Sequence, residues 1–299
     1  MVYSHNEWDS LKEVILGTAR GMYWPVADGV KWEILPSGQK IPSHIIEQTE
    51  QGLTEYSNKM KTYGVNVLRP KTRNYETVNG FGAYSTRDTV LIIGNKVIYT
   101  PTRFTYRREE WPALKHHFKL GEIIHAPLDD PDLYFDAANI IRCNRDILYL
   151  VSGTGSLKGG LWLQETLGKE YNVHILTGLY QGSHLDSTLV PIKEGVMLIN
   201  KARCSEEHLP EFLKKWECIW IEPDEIRDIS NDYNIASKWV GMNILTIEPG
   251  VIVLDQDQTK LIKKFRDMNY TVETVSLPYA RYLLGGPHCT TLDTVRINR

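Results

Sequence analysis

Cys289 follows a glycine-proline turn in Gly285-Gly286-Pro287-His288-Cys289-Thr290-Thr291, and a histidine and an aspartate stand two apart in His184-Leu185-Asp186. Cysteine attacks as the thiolate, and a nearby imidazolium or electropositive pocket raises the thiolate fraction, so Cys289 and His184 read as nucleophile and general acid-base. Extended backbone at 184–186 would send His184 and Asp186 to one face and Leu185 to the other. Asp136 would orient and charge-stabilise the imidazole, as the third member of such a triad does. Two further carboxylates, Asp88 and Asp186, are costly to bury unless a cation with several donors joins them. A planar guanidinium fits, because carboxylates take it through paired N–H groups. The chemistry implied is attack of a thiolate on the central carbon of an arginine-like guanidine, with His184 collapsing the tetrahedral intermediate by protonating the leaving amine.

These residues must be brought together from distant parts of the chain, and a repeated unit does it. An Asp or Asn, an apolar run, a turn, a second apolar run, an amphipathic helix and a further strand recur about five times along the sequence. Hairpins are expected at 89–99 around Gly94-Asn95, at 140–151 around Asn144-Arg145, at 187–199 around Glu194-Gly195 and at 243–254 around Pro249-Gly250. Helices are expected at 109–118, 160–167, 206–215 and 258–268, each leading into a strand at 121–126, 173–177, 218–221 or 271–277. The fifth copy is split: a first strand at 11–17, a helix at 43–63 and a strand at 65–68, with 290–296 returning to pair with the first strand and close the ring. Five small ββαβ units around a pseudo-axis would form a single α/β domain over 1–299 with the polar residues converging on one cleft. A two-layer α/β sandwich is the alternative.

The motifs Phe135-Asp136-Ala137-Ala138, His184-x-Asp186-x-Thr188, Ser237-Lys238-Trp239 with Met242-Asn243, and Gly285-Gly286-x-His288-Cys289 resemble the arginine amidinotransferases. So do Asn6-Glu7-Trp8-Asp9-x-Leu11-x-Glu13-Val14-Ile15-Leu16-Gly17 and Thr86-Arg87-Asp88, in colinear order over nearly the whole chain. The resemblance implies a five-bladed pseudo-symmetric α/β propeller, the pentein fold, and a covalent amidino intermediate on Cys289 with His184 and Asp136 as acid-base partners. It implies that Asp88 and Asp186 grip the guanidinium, that Arg203 and Ser237 lie nearer the substrate's amino-acid end, and that Asn139 belongs to the substrate-binding set. It further implies L-arginine as donor, L-ornithine as product and a small primary amine, glycine by default, as acceptor. Neither a metal nor an organic cofactor is required. The chain departs from the family at Asn139, where an acidic residue is usual, at Pro287, where an aromatic is usual, and at Ala236, where a serine precedes the second serine. Two other outcomes stay open: water taking the intermediate, as in an arginine deiminase-type hydrolase, or a non-catalytic guanidine-binding protein on the same fold.

Composition narrows the classes. The chain has 299 residues, 42% hydrophobic and 24% charged, with a net charge of -3 and no long basic run, so a nucleic-acid partner is not expected. No apolar run reaches the ~18 residues of a membrane span and no secretory leader is legible, so a cytoplasmic location and no membrane partner are expected. A homodimer is compatible with the sequence, which leaves oligomeric state open. Cys143, Cys204 and Cys218 lie in or beside apolar strands and read as core thiols, with no CxxC spacing for zinc or a disulfide framework. His116-His117 reads as a surface pair whose side chains diverge on a helix, and 153–160 as a flexible loop over the cleft rather than a phosphate loop. Arg107-Arg108-Glu109-Glu110 reads as the charged start of a helix on a solvated face.

Overall fold

The computed structural model describes residues 1–26, 36–118, 122–228 and 234–298. Each of the four expected hairpins turns on a residue in the left-handed region: Gly94, Asn144, Gly195 and Gly250. Glycine enters that region without a Cβ penalty and asparagine at little cost, so these positions fix where each apolar run doubles back. The hairpins are Val90–Ile93 with Lys96–Tyr99, Ile140–Cys143 with Asp146–Leu150, Leu189–Lys193 with Val196–Asn200, and Leu245–Glu248 with Val251–Asp255. A third strand then lies parallel to the second: Glu122–His125, Asn172–Leu176, Glu217–Ile221 and Thr271–Val275 respectively. Gly121, where the first of these was expected to start, is outside the described residues. In the split unit, Ser10–Leu16 is the middle strand rather than the first. It pairs antiparallel with Thr291–Ile297 and parallel with Asn66–Leu68. Among the described residues the strands thus make five three-stranded sheets and one short two-stranded sheet, Tyr23–Trp24 with Gln39–Lys40.

The helices depart from expectation where proline intervenes. Ser43–Thr62 and Thr259–Asp267 form as expected, the first burying Ile45, Thr49, Leu53, Tyr56 and Met60 along one stripe at helical spacing. The segment 206–215 is instead two 3-10 turns, Glu206–His208 and Leu213–Lys215, because Pro210 between them has no N–H to continue the ladder. At 105–117, Pro112 starts a new short helix, Trp111–Leu114, separate from Thr105–Arg108 and followed by the 3-10 turn Lys115–His117. The glycine-rich stretch 153–160 is only half loop, since the helix Leu157–Leu167 begins inside it with Ser156 Oγ accepting from Gly159 N–H.

Apolar side chains fill the spaces between sheets and helices. Ile192, Leu198, Met242, Leu254, Leu261 and Phe265 form one such cluster, each residue contributing about 2 kcal/mol of burial. Cys143 and Cys204 are buried in another cluster and Cys218 packs against it, as expected of core thiols. The middle of the molecule is charged. Glu7 accepts from Arg142 Nε at 2.7 Å, and Asp293 from Arg142 Nη2 at 2.6 Å and Arg87 Nη2 at 2.6 Å, all four residues buried. Neighbouring sheets meet around this cluster: Ser10–Leu16 touches Leu245–Glu248, Thr291–Ile297 touches Val90–Ile93, and Leu189–Lys193 touches both Ile140–Cys143 and Leu245–Glu248. Arg142 Nη1 links the remaining two by donating to the Ile92 carbonyl at 2.9 Å.

Candidate active site

The polar residues that precede the strands converge on one cavity of about 270 Å³, lined by Asp136, His184, Asp186, Arg203, Ser237 and Cys289 among others. Cys289 sits on a turn in which the Gly286 carbonyl accepts from Thr290 N–H, just before the strand Thr291–Ile297. The Pro287 carbonyl accepts the hydroxyls of Thr290 at 3.1 Å and Thr291 at 3.2 Å, so this departure from the family pattern sits in a fully bonded turn. Gly285 is required by proximity: a Cβ there would lie 2.5 Å from Ser85 Oγ and 3.0 Å from Cys289 Cβ.

The side chain of Asn243 fixes the nucleophile. Its Oδ1 accepts from Cys289 N–H at 2.8 Å while its Nδ2 donates to Asp186 Oδ2 at 2.9 Å. The thiol of Cys289 donates to the same Asp186 oxygen at 3.2 Å. Its hydrogen-bond partner is therefore Asp186 and not His184, as the sequence had suggested. His184 Nε2 is 3.0 Å from Asp136 Oδ2, the orienting contact expected of Asp136, and its Nδ1 is 3.9 Å from Asp88 Oδ1. Residues 184–188 form a turn rather than a strand, with the Leu185 carbonyl accepting from Thr188 and Leu189 N–H. His184 and Asp186 nonetheless share the cavity, because Leu185 is drawn into the core beside Leu189.

Asp88 and Asp186 are not the unpaired carboxylates the sequence implied. Arg107 Nη1 lies 2.9 Å from Asp88 Oδ2, and its Nε is 3.0 Å from Glu110 Oε1, with all three residues buried. This overturns the reading of 107–110 as a solvated face: Arg107 lines the cavity, and burying it requires the two carboxylates. The signal available was Glu110 three residues after Arg107 and next to Trp111, a spacing that pairs the charges on the side facing the core. Asp186 is held by His288 Nδ1 at 3.0 Å besides Asn243 and Cys289.

Electrostatics follow from these contacts. Burial opposes charge on His184, yet Asp88 and the Asp136 hydrogen bond raise its pKa to about 9, so it is an imidazolium at neutral pH. Burial is the largest single influence on Asp186 and works to raise it, but the His288 hydrogen bond and charge, the His184 charge and the Cys289 hydrogen bond together outweigh it and hold the carboxyl at about 2. Burial, with the charges of Asp186 and Asp88, pushes the Cys289 thiol well above its ordinary value. Burial also raises Asp88, against the pull of Arg107. Asp136 and Asp186 line the cavity around a protonated thiol, while Asp88 is fully buried against Arg107 and does not line it; two carboxylates at the cavity surface favour a cationic ligand.

Away from the floor, Arg203 stacks over the Tyr180 ring at 4.0 Å and donates to Ser187 Oγ at 3.0 Å and Ser237 Oγ at 2.9 Å. Arg203 and Ser237 thus line one wall together, beside the apolar residues Phe104, Tyr106, Ile235, Val240 and Leu284. Asn139 does not join them. Its Nδ2 donates to the Leu150 carbonyl at 3.0 Å and Ser152 Oγ at 2.9 Å, and its Oδ1 accepts from Thr154 Oγ1 at 2.8 Å, so it braces the loop that presents Thr154 to the cavity. Tyr180, Gly182 and Ser183 also line the cavity. His116 and His117 do not diverge either; their rings lie 3.8 Å apart, both half-buried, and His117 Nε2 is 2.9 Å from the Arg69 carbonyl. Among the described residues no group of three His, Cys, Asp or Glu is disposed to hold a metal ion, and no helix is long and apolar enough to cross a membrane.

The chain is similar to the inosamine-phosphate amidinotransferase 1 of Streptomyces griseus, at 36% identity over 100% of this chain and 98% of that one. It is 27% identical to the L-arginine:L-lysine amidinotransferase of Pseudomonas savastanoi pv. phaseolicola, over 99% of this chain and 94% of the relative. The solved structure of StrB1, an inosamine-phosphate amidinotransferase from Streptomyces griseus, matches with a TM-score of 0.91 at 34% identity, covering 100% and 98% of the two chains. SxtG, an amidinotransferase from Microseira wollei in the saxitoxin biosynthetic pathway, matches with a TM-score of 0.90 at 29% identity and the same coverage. No protein-family model matches the chain.

Proposed function

The chain belongs to the amidinotransferase family, and on that footing we propose that it moves the amidino group of L-arginine, through a covalent intermediate on Cys289, to a small primary amine, releasing L-ornithine. The observation that carries this reading is a buried thiol in one cavity with an imidazole and two carboxylates, Asp136 and Asp186, with Asp88 buried beside the imidazole. A guanidinium seated against Asp186 and Asp88 adds positive charge beside Cys289 and lowers the cost of its thiolate. Sulfur then bonds to the guanidinium carbon, and the bond from that carbon to the donor's side-chain nitrogen breaks. His184, already protonated, gives its proton to the departing amine, and the thiol's proton restores it, so the proton count closes. Arg203 and Ser237 hold the amino-acid end of the donor. After ornithine leaves, the acceptor amine attacks the amidino carbon, sulfur departs, and the displaced proton passes back through His184. One thiol serves both halves, which makes the kinetics ping-pong.

A glycine-like amine is the default acceptor. The L-arginine:L-lysine relative supports the donor. On this reading the molecule is one catalytic domain, the five sheets are the blades of a closed α/β propeller, and the enzyme works on small molecules in the cytoplasm. The test is to mix the protein with L-arginine and read both the mass of the Cys289 peptide and the released amino acid. A mass increase on Cys289, absent in Cys289→Ala, together with ornithine, is the expected result. Citrulline without ornithine would defeat transfer, and an unmodified Cys289 would defeat the covalent route.

A further inference from the structure

Asp186 carries three contacts at a single oxygen, and one of them leads out of the cavity. His288 Nδ1 lies 3.0 Å from Asp186 Oδ2, and on its far side His288 Nε2 lies 3.4 Å from Glu7 Oε2. Glu7 is clamped in turn by Arg142 at 2.7 Å and 2.8 Å and by Arg87 at 3.2 Å. Every member of this chain is buried. His288 does not line the cavity that holds Cys289; beside it, between Glu7 and Asp186, is a pocket of only about 10 Å³, too small for a substrate group. Whatever His288 does for the reaction, it does through Asp186.

We propose that His288, anchored by Glu7, is a positioning residue that aims the Asp186 carboxylate at Cys289 and at the donor guanidinium, coupling the nucleophile to the central ion cluster. The proposal rests on the reading of Cys289 as nucleophile and Asp186 as guanidinium ligand. A carboxylate on a short side chain can turn about its terminal bond, so an oxygen that must meet both a thiol and a substrate cation needs a fixed partner on the opposite side. Asn243 supplies one such bond and His288 the other. With a carboxylate at each nitrogen, the His288 ring donates to both only when it carries both protons. Glu7 and its arginines then keep the ring from rotating. The titratable and charged groups that face Asp186 are His288, Cys289, His184, Arg203 and Asp88. Of these, His288 has the largest influence holding the carboxylate ionised.

The experiment compares wild type with His288→Asn, which retains a donor near the Nδ1 position, and His288→Leu, which retains none. Donor-side steady-state kinetics are followed across pH, with thermal melting as a control for folding. Removing one hydrogen bond to a charged group is expected to raise the KM for arginine about tenfold to a hundredfold in His288→Leu. The acid limb of kcat/KM should also move to higher pH, because Asp186 then protonates more readily. His288→Asn is expected to recover most of both effects. Iodoacetamide labelling of Cys289 as a function of pH gives a readout that needs no turnover, and its profile is expected to shift in His288→Leu but not in His288→Asn. If wild type forms the amidino adduct while both variants keep the wild-type KM and pH profile, or lose melting temperature alone, the positioning role is wrong. If wild type forms no adduct, the failure lies with the proposed function instead.

Discussion

Replacing His184 by glutamine should change how stability depends on pH, by an amount the site geometry sets. His184 titrates at about 9 in the folded protein and at 6.5 when unperturbed. Between those values the folded state binds a proton that the unfolded state has lost, so stability must fall as pH rises, by up to about 1.4 kcal/mol per pH unit. The stabilisation is fully present below the unfolded value and gone above about 9, for a total of about 3 kcal/mol. Its sources are the Asp88 charge and the Asp136 hydrogen bond, working against the burial of the ring. Glutamine places Nε2 where the imidazole had it, keeps a donor for Asp136 and does not titrate. Urea unfolding of both proteins from about pH 6 to about pH 9.5 reads the effect as a difference of two curves. Glu110, raised by burial to about 8, and Asp255, raised by burial to about 6, slope the curves in the same direction in both proteins and so drop out of the difference. Wild type is expected to lose about 3 kcal/mol more than His184→Gln over this range, and half that would still support the assignment. Curves that stay parallel within about 0.5 kcal/mol would mean that His184 is not an imidazolium at neutral pH, and the acid role given to it would fail.

Two further outcomes follow from the cavity walls. Arg203→Ala removes the cation held by Tyr180 and Ser237 and is expected to raise the KM for arginine about tenfold to a hundredfold with kcat within about threefold, whereas His184→Ala should depress kcat at saturating arginine; initial rates that fall equally in both would contradict the division of roles. Gly285→Ala would drive a Cβ to within 2.5 Å of Ser85 Oγ, so adduct formation on Cys289 should slow about tenfold or more, and Ser85→Gly in the same chain should recover part of it; unchanged adduct rates would show that the turn can yield.

What could be read in the sequence depended on whether the cause was local. Gly94, Asn144, Gly195 and Gly250 mark their own turns, and the apolar runs on either side have nowhere else to go, so the hairpins were legible. Asp136, His184, Asp186 and Cys289 were legible as well, because each precedes a strand and the repeat brings those positions together, whereas Arg203, which follows a strand, and Ser237 came only from the family resemblance. Asn243 precedes the strand Leu245–Glu248, and the same logic would have placed it at the site, but asparagine advertises no charge to follow. Arg107 was misread because its partner Asp88 is nineteen positions away and only the fold buries the pair. The bond from Cys289 to Asp186 rather than His184 was illegible for a similar reason. Which of two carboxylates or imidazoles faces a thiol is decided by hydrogen bonds from Asn243 and His288, not by spacing. The broken helices at 105–117 and 206–215 were a smaller error: proline was present in both, and the apolar periodicity was given more weight than the missing N–H.

The pairing of Ser10–Leu16 with Thr291–Ile297 also bears on how the protein is made. Glu7 and His288 are 281 positions apart, and the strand that carries the nucleophile's turn is the last of the described strands to leave the ribosome. Four sheets can assemble while the chain is still being translated, but the fifth waits for its third strand, and that loop is among the longest the molecule must close. Until it closes, Cys289 has neither Asp186 nor Asn243 beside it. A nascent or truncated chain therefore holds a solvated, ordinary thiol, and the reactive site comes into being only with the final docking step.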